Sequence, residues 1–323
     1  MVPIDKLSIK SDLYNGGIIA IPAIKLSMYF PGLISSHGKS VLEIIDKYLS
    51  SIRRGAITIK FDDSEIEENY PDDSGEIKRV SLDFEEIREE LLPERLSEQE
   101  MFSLWLWGDS DTQPNGYGLT LVGSDHMEQD FPNWLNYISI DWPIDFVTSN
   151  LDDFLPRLES YVSSLNCQSA VCGIGYNVSP GLSQVIRADL DRRLLRYLAL
   201  DPCYDALNFE LGGSLPYPTW LTFIGDELLD SNLRHNLRTN YNPRELRGGM
   251  LIRSSMFPPL GDINRQAPDI GRLPSLARTL APITVDQDVY GQGMSEKIVE
   301  RWIERFTTLE DRQWDNSRYQ RTD

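Results

Sequence analysis

At 323 residues, with 41% apolar and 10% aromatic side chains, the chain can bury a sizeable core, which excludes general disorder. Fifty acidic against 31 basic residues leave a formal net charge of −19, making nucleic acid and anionic membrane poor direct ligands. Three cysteines (Cys167, Cys172, Cys203) and three histidines exclude an even disulfide framework and any zinc-ligand spacing, so free buried thiols in a reducing compartment are expected.

The first residues, MVPIDKLSIKSDLYNGG, show no basic region followed by an apolar one, and no apolar stretch approaches membrane-spanning length. A cytoplasmic protein without membrane contact is the expectation. Residues 18–30 are rich in β-formers and read as strand. Val41, Leu42, Ile44, Ile45, Tyr48, Leu49 and Ile52 follow at helical spacing, with Ser40 and Glu43 as a capping box that starts the helix and Gly55 beyond its end. AITIKF (56–61) alternates and reads as strand. Residues 62–76, with Pro71 and Gly75, lack periodic apolar positions and read as an exposed loop or loose hairpin tip. A short strand at 77–82 and an acidic helix at 83–92 come next.

MFSLWLW (101–107) and YGLTLVG (117–123) form an expected hairpin around GDSDTQPNG, with YISIDW (137–142) as another strand. Residues 146–165 have helical spacing with a kink or restart expected at Pro156. AVCGIGYNV (170–178) reads as a buried strand, and 182–200 as the strongest helix. A Gly- and Pro-marked region then leads to a closing helix, SEKIVERWIERF (295–306), and a polar tail at 308–323. Strands and helices intersperse without a βαβ rhythm, which favours an α+β fold with a mixed, largely antiparallel sheet and packed helices. No linker divides residues 1–323, so one large or two-lobed domain is expected.

Motifs for catalysis do not assemble in the sequence. GLISSHGKS (32–40) has a P-loop's setting, but five residues separate Gly32 from Gly38 and the expected helix starts after Ser40. Asp109, Asp111 and Asn115 resemble a calcium loop, yet Gly116 comes too late and no closing Glu follows. Gly173 and Gly175 lack the third glycine of a dinucleotide fingerprint, and His37, His126 and His235 lie near no nucleophile elbow. No catalytic residue, metal or cofactor is expected.

Charge is concentrated instead. Residues 62–100 hold sixteen Asp and Glu against Lys78, Arg79, Arg88 and Arg95, a net of −12, leaving −7 for the other 284 residues. A localised anionic face steers basic partners and repels nucleic acid. Interleaved Tyr70, Phe84, Ile87 and Leu91 can add apolar contact. The expected partner-binding residues are Glu67, Glu68, Tyr70, Asp72, Asp73, Glu85, Glu86, Glu89 and Glu90.

Trp220-Leu221-Thr222, the Gly248-Gly249 strand ending in Pro259-Leu260-Gly261-Asp262, and the element Arg278-x-Leu280-x-Pro282-Ile283 resemble the TsiV family of type VI secretion immunity proteins. The helix VLEIIDKYLSSI is also similar, so the likeness spans 40–283 with the acidic stretch outside its blocks. The resemblance implies a cytoplasmic antidote that binds a cognate effector toxin, notably a nuclease of the VRR-Nuc type, with Trp220, Gly261 and Asp262 structural. Charge and resemblance converge on a non-catalytic inhibitor that covers a basic nuclease groove. The rivals are an antidote to a non-nuclease effector and an acidic metal-dependent hydrolase.

Overall fold

The computed structural model describes residues 7–11, 16–61, 80–81, 83–110, 113–178, 182, 186–202, 211–264, 268–285, 301–302 and 304–306. In chain order these form β1 (Ile9–Ser11), β2 (Gly17–Phe30), α1 (Ile34–Ser51), β3 (Ile59–Phe61) and β4 (Val80–Ser81). Next come α2 (Phe84–Glu90), α3 (Pro93–Ser97), β5 (Phe102–Ser110), β6 (Gln113–Gly123) and β7 (Asn136–Pro143). Then follow α4 (Ile144–Ser149), α5 (Leu151–Leu165), β8 (Ser169–Val178), α6 (Arg187–Arg196) and β9 (Leu221–Gly225). The last are α7 (Ser231–Tyr241), β10 (Arg244–Leu246), β11 (Gly249–Arg253) and α8 (Leu273–Leu280).

All eleven described strands join one sheet in the order β10-β11-β9-β8-β2-β7-β6-β5-β3-β4, with β1 beside the start of β2. Every named pair is antiparallel; parallel pairing is confined to isolated bridges such as Ile174–Leu200. The fold is α+β, as the mixed succession of elements implies. β2 is central, flanked by β8 and β7, and its last nine residues are all buried. That explains its near-continuous apolar run, since both faces of an inner strand need cover.

On one face, α1 and α5 pack through an aromatic row. Tyr48 meets Trp142 edge-on at 5.5 Å, Trp142 meets Phe154 at 5.2 Å, and Phe154 stacks on Trp220 at 6.2 Å. At the β9–β11 side the opposite face carries Ile224, Met250 and Ile252 against Leu237 of α7 and Leu276 and Leu280 of α8.

Four boundaries differ from the sequence reading. α1 begins at Ile34, not after Ser40, because the Asp125 carboxylate accepts from the Ser35 N–H at 2.9 Å and supplies the cap from 90 residues away. The 32–40 segment is therefore mostly helix, and a Cβ on Gly38 would lie 2.6 Å from the Leu91 carbonyl. That glycine serves a backbone approach, with no phosphate loop around it. The break expected at Pro156 falls at Asn150, whose non-helical backbone ends α4 and accepts from the Asp153 and Phe154 N–H groups to start α5. Pro156 sits inside α5, which runs on through it to Leu165. Of the helix expected over 182–200, residues 187–196 are helical and 183–185 lie outside the described residues; Tyr197 and Leu200 turn to pair with Asp262 and Ile174 instead. The 101–123 hairpin runs longer than expected, its strands continuing through Ser110 and from Gln113. Of the closing helix, residues 301, 302 and 304 are helical and 295–300 lie outside the described residues.

Candidate functional site

The described part of the acidic stretch, 83–100, carries eight acidic residues against Arg88 and Arg95. Asp83 starts α2: its carboxylate accepts from the Glu85 N–H at 2.9 Å and the Glu86 N–H at 3.5 Å. Glu85 and Glu86 in the first turn and Arg88 in the last complement the helix dipole. Seven residues are too few for a helix to hold itself, so α2 depends on tertiary contacts. Ile87, buried in the main core with Leu91 and Leu96, provides one. Lys60 on β3 provides the other. Its buried ammonium donates to Glu86 Oε1 at 2.9 Å and to Glu90.

Burial alone would lower the Lys60 pKa, but hydrogen bonds to Glu90 and Glu86 and their charges outweigh it and hold the ammonium above the ordinary lysine value. A group raised in this way contributes its full stability below the free-lysine value of 10.5 and loses it as pH climbs through the raised value. Lys60→Met should therefore cost about 1–3 kcal/mol at neutral pH, allowing for the solvent that reaches both carboxylates. Urea unfolding at pH 7 and above pH 11 checks this, the difference between the two proteins shrinking at the higher pH.

The nine expected contact residues divide accordingly. Glu67, Glu68, Tyr70, Asp72 and Asp73 lie outside the described residues. Glu86 and Glu90 converge on Lys60 and hold the helix in place. Glu85 faces solvent beside Arg88, which donates to it at 2.6 Å and also reaches Asp46 of α1 at 3.5 Å. Glu89 is exposed and makes no ion pair with a described residue. The Lys60 contact was hidden in the sequence, where 26 and 30 residues separate it from its carboxylates.

Other reactive groups are held in structural contacts. Cys167 and Cys172 are buried free thiols whose pKa values burial pushes up, which keeps them protonated and poorly nucleophilic; Cys203 lies outside the described residues. His37 Nε2 meets the Pro31 carbonyl at 2.9 Å, and burial lowers its pKa despite that bond. Asn115 donates to the Ala56 carbonyl at 2.7 Å and accepts from the Tyr117 N–H at 3.0 Å, which fixes the hairpin; Asp111 lies outside the described residues. Among the described residues no group of three or more His, Cys, Asp or Glu is placed to hold a metal. Trp220 is buried and donates to the Ser255 carbonyl at 3.0 Å. Gly261, at φ +73°, turns the chain so that Asp262 accepts from Arg196 at 3.1 and 3.3 Å. These contacts give all three residues a structural part.

A buried polar cluster crosses the sheet centre and escaped the sequence reading. Lys25 and Asp141 are register partners on β2 and β7, with their charged atoms 3.3 Å apart. Asn177 of β8 donates to the other Asp141 oxygen at 3.0 Å and accepts from the Gly116 N–H at 3.3 Å. The signal was available: a Lys and an Asp inside apolar strands invite pairing, because an unpaired buried charge is costly.

One antiparallel sheet with helices on both faces and an outward acidic helix defines an α+β protein whose distinguishing surface is anionic. The chain belongs to the TsiV family, type VI immunity for VRR-NUC, which matches residues 68–306. That match takes in all but the first six residues of the acidic stretch, so the stretch is not an addition outside the family. No curated protein matches the chain. Among solved structures, the Pseudomonas aeruginosa T6SS protein PA0821 is similar in fold, with TM-score 0.67 and 15% identity over 94% of this chain and 90% of that one. No described helix is long and apolar enough to cross a membrane.

Proposed function

We propose that the chain is a non-catalytic cytoplasmic antidote that binds a cognate nuclease effector and covers its phosphate-binding surface with the acidic face around α2. The observation that carries this reading is the net −12 over residues 62–100, whose described half includes a helix held in place by Lys60 and Ile87. A nuclease must present cations to phosphates, and a rigid anionic body is complementary to such a groove. Family membership supports an effector of the VRR-NUC kind as partner. The single sheet supports treating residues 1–323 as one functional unit.

Co-expression with the effector encoded beside it tests the reading. Cells carrying both genes should survive, with no DNA degradation, at expression levels where the effector alone is lethal. Death at equal effector levels would reject the antidote role. Survival only when the chain is exported to the periplasm would reject the nuclease target.

A further inference from the structure

Four of the exposed large apolar residues come to one end of the sheet. Leu33, Leu92, Met101 and Phe131 are 47, 43, 42 and 39% exposed, and lie at the end of the sheet where β2 and β6 finish and β5 and β7 begin. Cross-links between loops hold them there. The Ser124 carbonyl accepts from the Ile34 N–H at 3.4 Å, and its hydroxyl donates to the Glu100 carbonyl. His126 Nε2 meets the Ser97 carbonyl at 3.1 Å, and the Leu91 carbonyl closes on Gly38 so that Leu92 lies beside the start of α1. The patch is thus preformed, which reduces the ordering a partner must impose.

Its rim is acidic. Segments 31–35, 92–101 and 124–133 contain six carboxylates and one Lys or Arg, Arg95, which sits 3.6 Å from Glu98. Through Leu91 and Leu92 this rim continues into α2, where Glu85 and Glu89 face outward. We infer that this end of the sheet is the centre of the effector interface: apolar anchors seat the partner inside an anionic border. The occupant that fits is a protein surface with an apolar patch inside a basic margin, by complementarity of charge. This inference rests on the antidote reading and adds to it the apolar anchor that charge alone does not supply. A different exposed pair, Met256 and Phe257 at 71 and 48%, follows β11 at the other end of the sheet. The cations beside it, Arg253 and Arg272, are turned onto backbone carbonyls.

Binding of the full chain to the purified nuclease domain of the neighbouring effector decides the matter, with melting curves confirming that each variant folds. Leu33→Ser/Met101→Ser should bind about tenfold or more weakly, mainly by faster dissociation, while Met256→Ser/Phe257→Ser stays within about twofold of wild type. Leu92→Ser, which leaves the start of α1 untouched, should weaken binding in the same direction. Wild-type affinity in all three loop substitutions, or a loss confined to the Met256 pair, overturns the inference while leaving the antidote reading intact. No binding by the wild-type chain overturns both.

Discussion

Asp141→Ala should remove about 3–5 kcal/mol of folding stability, the range for breaking a buried ion pair from one side. The substitution takes away the carboxylate 3.3 Å from the Lys25 ammonium and the acceptor of the Asn177 amide. Both sit where β2, β7 and β8 meet at the centre of the sheet, so water can replace the lost oxygen only by opening the core. The paired replacement Lys25→Met/Asp141→Leu should cost much less, since removing both charges also removes their desolvation penalty. Urea unfolding of the wild type, the single and the double variants measures this. A single variant within about 1 kcal/mol of wild type would show that the ion pair is dispensable, as surface pairs are.

Reversing the outward charges of α2 should act mainly on binding. Glu85→Lys/Glu89→Lys is expected to slow association with the effector about tenfold or more at low salt. The difference from wild type should shrink as salt shortens the Debye length to roughly 8 Å at physiological strength. Stability should fall by about 1 kcal/mol or less: both side chains lie outside the core, but Glu85→Lys removes the Arg88 pair and a favourable charge from the first turn. Glu86 and Glu90 are unsuitable for this experiment: reversing them also breaks the Lys60 contact, confusing loss of fold with loss of field. An unchanged association rate in stopped flow at low salt would remove α2 from the steering surface.

What the sequence revealed follows the range of the forces involved. Strand and helix interiors were legible because burial leaves a pattern: near-continuous apolar runs in β2 and β8, and a period of 3.6 on the Val41–Tyr48 face of α1. The start of α2 was legible to within a residue, because Asp83, which caps it, adjoins the helix. The start of α1 was not, since Asp125 caps it from another loop and the Ser40–Glu43 pair offered a convincing local substitute. Asn150 was passed over for Pro156 because a proline is the stronger local sign of a break, whereas the non-helical backbone of Asn150 has no such mark in the sequence. For the candidate site, the acidic concentration was plain from composition. Its division into holding carboxylates (Glu86, Glu90) and outward ones (Glu85, Glu89) depends on where Lys60 lies across β3. The apolar end patch was invisible for the same reason: Leu33, Leu92 and Met101 come to one end of the sheet only after three loops are brought together.

The central claim, that this TsiV-family chain inhibits by occupying the surface an effector uses for DNA, has a direct test. Fluorescently labelled duplex DNA bound to a cleavage-deficient effector domain is titrated with the purified chain at physiological salt. Displacement of the DNA in step with complex formation, complete near equimolar chain and effector, is the predicted result. A stable ternary complex of DNA, effector and chain would contradict it.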